Sequence, residues 1–172
     1  MNITVFYLLI GAVLGSMFLF FKPLQVDIAS PGELAQIELD RFVVHEVTDA
    51  GVKTILAGNH ARRFEDRYEV DELNLTDRSQ GHVEKMHATK GLYRAPLISL
   101  RDNVRFERDD GVVFETQSAD YNQTSGEVST NGSFVLWQAK DRIDGTDLRY
   151  NTKSGKISAK QIVGNYTLKD AK

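Results

Sequence analysis

The chain repeats one pattern: Ala119-Asp120-Tyr121-Asn122-Gln123-Thr124-Ser125-Gly126-Glu127-Val128-Ser129 recurs as Leu148-Arg149-Tyr150-Asn151-Thr152-Lys153-Ser154-Gly155-Lys156-Ile157-Ser158. Both copies place Tyr-Asn before a polar turn that contains Ser-Gly, and a β-branched residue follows. This order is typical of two β-strands joined by a tight turn. The glycine provides the positive φ that such a turn needs. Two copies in succession predict an antiparallel meander.

The rest of the chain after residue 34 continues the β pattern, and no stretch there has sustained helical periodicity. We therefore predict one all-β domain over residues 34–168, with about eleven to thirteen strands. The first strand changes its alternation between Leu39 and Phe42, which predicts a bulge. The predicted early strands are Val52–Ala57, His60–Phe64, Tyr68–Leu75 and Val83–Ala88, with breaks at Gly58-Asn59 and Lys90-Gly91.

The segment from 98 to 107 has the clearest two-sided pattern. Ile98, Leu100, Val104 and Phe106 share one face, and polar or charged residues occupy the other. Asp102 is an acid on the apolar side, so we expect a bulge or a solvent-exposed rim at that position rather than a buried charge.

An apolar surface is the main candidate functional feature of the predicted domain. If the strands pair in sequence order, its members point the same way. They are Ile98, Leu100, Val104, Phe106, Val112, Phe114, Val128, Leu136, Leu148, Tyr150 and Ile157. Such a face can be the packed core of a sandwich or a groove that stays open for a lipid. The sequence does not separate these two readings, because apolar strand faces look alike in both.

Composition and motifs exclude several other functions. The 172 residues carry 21 basic and 24 acidic side chains in mixed order, which does not indicate nucleic-acid binding. Cysteine is absent, so disulfides, zinc–thiolate sites and cysteine nucleophiles are excluded. The four histidines lack ligand spacing, and the paired carboxylates fall in predicted turns. We predict neither an enzyme nor a protein with a metal or cofactor.

The N-terminus predicts a membrane anchor over residues 1–22, followed by a linker over 23–33. Ile3 to Phe21 is an uncharged run of about 19 residues, and a helix of that length measures about 28 Å, enough to cross the hydrocarbon core. A cleaved signal peptide is the alternative, but a basic n-region and an Ala-x-Ala site are missing. Gly11 and Gly15 form a Gly-x-x-x-Gly pair, which predicts packing against another membrane helix. The single Lys22 after the span weakly favours a cytoplasmic C-terminal side.

Taken together, these residues resemble the LptC family, the bitopic component of the lipopolysaccharide exporter, and more distantly its soluble relative LptA. The stretches that carry the resemblance are Asn-Val-Arg-Phe-Glu at 103–107, Phe-Glu-Thr-Gln-Ser-Ala-Asp-Tyr at 114–121 and Ile-Asp-Gly-Thr-Asp-Leu-Arg-Tyr at 143–150. They follow one another in the family's order behind a single N-terminal helix. The specificity comes from this order, since each motif alone is loose.

The resemblance implies an open, twisted β-jellyroll in the periplasm, held at the inner membrane by a single-pass anchor. Lys22 alone would favour a cytoplasmic C-terminal side, and we adopt instead the periplasmic side that the resemblance implies. The domain would take lipopolysaccharide from an ABC transporter with subunits similar to LptF, LptG and LptB, and pass it to an LptA-like protein. Family turn glycines fall on Gly51 and Gly145, and groove positions fall on or near Leu73, Phe106 and Ile157.

The last strand, around Gln161, Ile162, Val163 and Gly164, is expected to be the partner edge, because a final strand has one unpaired side. The same free edges would let two copies of the chain form a homodimer. A different reading is a membrane-anchored periplasmic β-sandwich that binds a carbohydrate or a protein. A membrane-anchored hydrolase would need a convergent carboxylate or histidine cluster, which the sequence lacks.

Overall fold

The computed structural model describes residues 34–49, 51–79 and 81–166, and all the regular structure in them is β, as predicted. The described residues form ten strands. These are β1 (Ile37–Thr48), β2 (Gly51–Arg63), β3 (Tyr68–Asp77), β4 (Glu84–Arg94), β5 (Leu97–Arg108), β6 (Val112–Asn122), β7 (Glu127–Thr130), β8 (Ser133–Gln138), β9 (Asp141–Asn151) and β10 (Ile157–Asn165).

One antiparallel sheet contains all ten strands, in the order β1-β2-β3-β4-β5-β6-β7-β9-β10. The short strands β7 and β8 share one place in the ladder, since each pairs with β6 on one side and β9 on the other. Apart from β7 and β8, which do not pair with each other, every strand pairs with the strand that follows it in sequence, as in the predicted meander. Within the described residues β1 and β10 are the two edges of the sheet.

The repeated sequence pattern forms two turns of the same geometry. In the first, the side chain of Asn122 accepts hydrogen bonds from two turn amides, and Gly126 has a φ of 72°. In the second, Asn151 does the same and Gly155 has a φ of 69°. The turns also touch, because the Thr152 amide donates to the Gly126 carbonyl at 2.8 Å. The predicted strand–turn–strand repeat is confirmed.

Two predicted strand breaks are wrong. β2 runs unbroken through Gly58-Asn59, and β4 runs through Lys90-Gly91 to Arg94. These glycines are not turn residues. Because they lack a Cβ, a side chain from a neighbouring strand can pack against the backbone there. A Cβ on Gly58 would lie 2.7 Å from the Phe42 ring, and one on Gly91 would lie 2.9 Å from Leu73. The merged strands account for a strand number below the predicted range.

A line of left-handed residues crosses the sheet at mid-strand, and we call this line the crease. Its non-glycine residues with positive φ are Arg41, Glu72, Asp102, Asn103, Asp147 and Gln161. Across the crease the inward-facing positions of most strands are three residues apart instead of two, as at Val70 and Leu73 on β3, while on β5 they are four apart, at Leu100 and Val104. A Cβ on the neighbouring Gly58 would contact Val70, and one on Gly91 would contact Leu73. The crease therefore keeps apolar residues on one face although the alternation changes.

The crease accounts for the change of alternation at both positions where we predicted a bulge. At Asp102 the bulge is confirmed, since the β5–β6 register shifts between Arg101 and Val104. At Arg41, which has a φ of 49°, the change of alternation is real but the predicted bulge is wrong. The pairing of β1 with β2 continues through this point without a shift, because β2 changes its alternation at the same level.

Burial on the apolar face is deepest beside the crease. The buried residues next to it are Ala88, Leu100, Val104, Thr116, Thr130 and Phe134. Their neighbours Leu73, Met86, Ile98 and Ala119 pack against this line and are only half-buried. Side chains beside the crease therefore cover the middle of the apolar face. Towards the ends of the strands this face is more open to solvent.

Candidate functional site

The face of the sheet that carries the buried midline is the candidate site, and we call it the inner face. Cross-strand partners place their side chains on the same face, so the register defines its rows. One row of consecutive partners crosses eight strands without a polar residue. It consists of Val44, Leu56, Leu75, Met86, Phe106, Phe114, Leu136 and Ile143.

This apolar face is accessible to solvent. Except for Val44, which is exposed, each member of that row is half-buried. Among the described residues, no large side chain is fully buried. A sandwich core packed to ordinary density would bury most residues of this kind. The described part of the chain therefore presents an unusually large apolar surface to solvent, which is typical of a binding surface.

All twelve residues predicted for this face lie on it, eleven from the strand pattern and Leu73 from the resemblance. Leu100 and Val104 are buried beside the crease, while Ile157 is 65% exposed on the edge strand β10. The others are half-buried: Leu73, Ile98, Phe106, Val112, Phe114, Val128, Leu136, Leu148 and Tyr150. Whether they contact a lipid stays a prediction.

Sequence reasoning missed about half of the inner face. The missed residues are Phe42, Val44, Leu56, Val70, Leu75, Met86, Tyr93, Tyr121, Phe134 and Ile143. A strict period of two assigns residues on opposite sides of the crease to opposite faces. The three-residue spacing between Val70 and Leu73 was the signal that could have revealed them.

The two edge strands hold most of the exposed apolar side chains. On β1 and just before it these are Leu34, Ile37, Leu39, Val43, Val44 and Val47, and on β10 and just after it they are Ile157, Ile162, Val163 and Tyr166. The predicted partner edge, Gln161 to Gly164, lies on β10 and is exposed throughout. Within the described residues β10 pairs only with β9, so its other side is free. Long apolar edges of this kind favour strand addition.

Of the two predicted turn glycines, one is correct. Gly51 opens β2 with a φ of 112° and directly follows the β1–β2 turn. Gly145 is not a turn residue, since it lies inside β9 and is buried. A Cβ there would lie 2.7 Å from the Phe134 ring, which explains the glycine.

The opposite face, which we call the outer face, is charged. Arg105 forms ion pairs with Glu107 and Glu115, and the hydrogen bond that it donates to Glu107 raises the pKa of the guanidinium. Arg101 pairs with Asp120 at 2.7 Å. Side chains on this face therefore neutralise one another in water, and the two faces of β5 differ in chemistry residue by residue.

An open polar cleft of about 550 Å³ lies at the C-terminal end of the ladder. Its lining consists of Asp120, Ser129, Thr130, Asn131, Asp147, Arg149, Ser158, Ala159 and Lys160. Both acids have partners, since Asp120 pairs with Arg101 and Asp147 pairs with Lys160 at 3.1 Å. The Gly132 amide and then the Lys160 ammonium hold the pKa of Asp147 below its usual range.

The histidines and turn carboxylates lie apart from the inner face. His82 bonds Asp109 at 2.8 Å, and the Val83 amide and then His82 lower the pKa of that carboxyl. His60 bonds Asp40 at 2.7 Å on the β1–β2 pair. In residues 34–49, 51–79 and 81–166, no three histidine or carboxylate side chains come together as metal ligands would.

No protein-family model matches this chain, and no curated protein matches it. The predicted anchor, its Gly11 and Gly15, the linker and residues 167–168 of the predicted domain lie outside the described residues. The described part of the chain contains no helix long and apolar enough to cross a bilayer.

Proposed function

We propose that this protein binds lipopolysaccharide and transfers it across the periplasm, as an anchored component of the envelope lipopolysaccharide exporter. The domain would be an open, twisted β-jellyroll whose inner face forms the lipid-binding trough. It would receive the lipid from an ABC transporter similar to LptB, LptF and LptG and deliver it to an LptA-like protein. The single-pass anchor would place it in the inner membrane, with the β domain in the periplasm.

The half-exposed inner face is the observation that carries the proposal. A row of apolar side chains crosses the sheet from Val44 on β1 to Ile143 on β9, and most of them keep part of their surface in solvent. Exposing one CH₂ group of an acyl chain to water costs about 0.8 kcal/mol of free energy. A continuous apolar trough removes this cost while the lipid crosses an aqueous space.

The edge strands support the proposed partners. An LptA-like protein would add a strand to the free side of β10 at Ile162 and Val163, which are 57% and 63% exposed. Strand addition would extend the trough into the next protein without a catalytic group. The energy would come from the transporter's ATPase, and Gly11 and Gly15 would pack the anchor against a transporter helix. Two copies of the chain could use the same edges to form a homodimer.

Crosslinking on the two faces of β5 tests the function. A photoreactive amino acid at Phe106, half-buried on the inner face, should capture lipopolysaccharide in cells. The same amino acid at Arg105, next to it on the outer face, should not, because that face is charged and paired. The full-length protein keeps its remaining residues in both cases. Equal capture at the two positions, or none at either, would refute lipid binding on the inner face.

A membrane-anchored protein that binds a carbohydrate is the second candidate. The polar cleft beside β9 and β10 favours it, because hydroxyl and charged side chains such as Ser129, Ser158 and Arg149 line an open space of about 550 Å³. Saccharides are bound by groups of this kind together with apolar ring faces. This candidate predicts ligand contacts in the cleft and no lipid crosslinks at Phe106.

A further inference from the structure

The two ends of the inner face carry different chemistry. At one end a row of consecutive cross-strand partners runs the whole way from β1 to β10, and we call it the tyrosine row. It consists of Ile37, Arg63, Tyr68, Tyr93, Ile98, Tyr121, Val128, Tyr150 and Ile157. Four of the chain's six tyrosines lie in it, and it contains no carboxylate.

Among the described residues, the polar groups of the tyrosine row have no hydrogen-bond or ion-pair partners. None of its four phenolic hydroxyls makes a hydrogen bond to another described residue. The Arg63 guanidinium lies over the Tyr68 ring, 5.6 Å from its centroid, and forms no ion pair with any described carboxylate. Tyrosines with an apolar ring and a free hydroxyl are typical of the boundary between an apolar phase and a polar one. One cation and four hydroxyls are thus available to a ligand.

The opposite end of the inner face is acidic, and we call its last set of partners the acidic row. It consists of two runs of partners: Glu46, Thr54, Asp77, Glu84 and Arg108 on β1 to β5, and Val112, Gln138 and Asp141 on β6, β8 and β9. Its one guanidinium, on Arg108, is already bound in a two-point contact with Asp110 at 2.8 and 2.9 Å. The Thr54 hydroxyl and then Lys53 lower the pKa of Glu46, so that carboxyl stays charged at neutral pH.

We propose that the tyrosine row holds the phosphate headgroup of a phosphorylated amphiphile, while the acyl chains lie on the apolar rows between it and the crease. This inference rests on the proposed lipid-binding function and adds the direction in which the ligand lies. Guanidinium and phenol groups donate hydrogen bonds to phosphate oxygens. The negative charges of the acidic row repel a phosphate at the other end.

A cationic headgroup fits this row less well than a phosphate. Aromatic side chains can also bind quaternary ammonium groups through their ring faces. Here, however, Arg63 already occupies the face of Tyr68, and its positive charge repels a second cation. Because no acid in the row offsets that charge, the row selects an anion.

The test measures binding of two lipids to the full-length chain in detergent. One lipid is a lipopolysaccharide that keeps its phosphates, and the other is the same lipid after enzymatic removal of the phosphates. Arg63→Gln should weaken binding of the phosphorylated lipid about tenfold, as expected for the loss of one hydrogen bond to a charged group. Binding of the dephosphorylated lipid should not change. Arg63→Lys should keep most of the affinity for the phosphorylated lipid, because it keeps the charge.

The control variant is Arg108→Gln, which makes the same change at the acidic row and should not affect either lipid. Inorganic phosphate alone should compete only weakly, since it lacks the acyl chains. The inference is overturned if Arg63→Gln weakens both lipids equally, if Arg108→Gln has the same effect as Arg63→Gln, or if phosphate removal does not alter wild-type affinity. If neither lipid binds the wild-type chain, the proposed function itself fails, which is a different outcome. Thermal melting of each variant checks that the fold is intact.

Discussion

At the scale of single residues, several interior glycines serve as sites where an aromatic ring lies on the backbone. Phe134 covers Gly145 on the neighbouring strand, and Phe42 covers Gly58 in the same way. Both rings lie beside the crease, where burial is deepest. The glycines allow large rings to fit against the sheet where it bends, so their role is packing rather than conformational freedom.

Gly145→Ala should destabilise the domain by about 1–3 kcal/mol, the usual cost of overpacking. The new Cβ would lie 2.7 Å from Phe134 and 3.3 Å from the backbone oxygen of Lys160, and the backbone atom cannot move as a side chain can. Urea unfolding followed by circular dichroism would measure the loss. Adding Phe134→Leu should recover part of it, because the smaller side chain leaves room. Strictly additive losses in the double variant would show that the ring is not the cause.

At the scale of elements, the edge strand β10 differs from the interior strands in one decisive respect. Its side chains are almost all exposed, and half of its backbone groups face no described partner. A partner strand would satisfy these groups and cover Ile162 and Val163 at the same time. Substitutions at different positions of this strand can therefore change the stability of the domain and its association with a partner independently.

A proline scan from Gln161 to Gly164 should give alternating results at Ile162, Val163 and Gly164, whereas Gln161→Pro should lower the melting temperature in any case, because proline cannot adopt the φ of 49° found there. Proline removes a backbone donor, so where the N–H faces outward it should abolish binding of an LptA-like partner and leave the melting temperature nearly unchanged. Where the N–H faces β9, proline should lower the melting temperature instead. Pull-down with the partner and thermal melting of the same variants provide both readouts. Full binding by all four variants would show that β10 is not the docking edge.

The sequence was most informative where one short segment determines the structure. The Asn122 and Asn151 turns follow from local chemistry, since each asparagine caps its own turn, and both were predicted. The all-β class and the bulge at Asp102 were also predicted. What local patterns could not reveal is the crease, because it depends on neighbouring strands changing their alternation at the same level. For that reason half of the inner face was missed, whereas the incorrect prediction of a turn at Gly145 followed from the family resemblance.

At the scale of the whole molecule, hydrogen bonds to carboxylates link the fold to pH. Backbone amides, hydroxyls or cations lower the pKa of a set of acids at strand ends, in turns and within β9. The set comprises Glu46, Asp77, Asp109, Asp110, Asp144 and Asp147. A carboxyl whose pKa is lower in the folded state stabilises the fold above its unfolded pKa of about 4. That contribution is lost as the pH falls through the folded-state pKa.

The melting temperature should therefore stay nearly constant from pH 7 to about pH 5 and fall steadily below about pH 4. Asp109→Asn should melt lower at pH 7, because it loses the charged acceptor of the Val83 amide and His82, and its curve should fall less steeply in acid. Glu65→Gln is the control, since Glu65 makes no hydrogen bond or ion pair with a described residue. Parallel curves for wild type and Asp109→Asn would refute the role of this carboxyl.

The rows of the inner face run across the strands, and this direction has a kinetic consequence for a ligand that moves along them. Successive strands in a sheet lie about 4.8 Å apart, and each step from Leu75 through Met86 to Phe106 offers an apolar contact of similar size. A lipid would therefore meet a nearly level free-energy profile with shallow barriers, rather than one deep well. Such a surface favours rapid one-dimensional diffusion over long residence, so the domain would act as a low-friction track whose net flux is set by the supply at one end and the removal at the other.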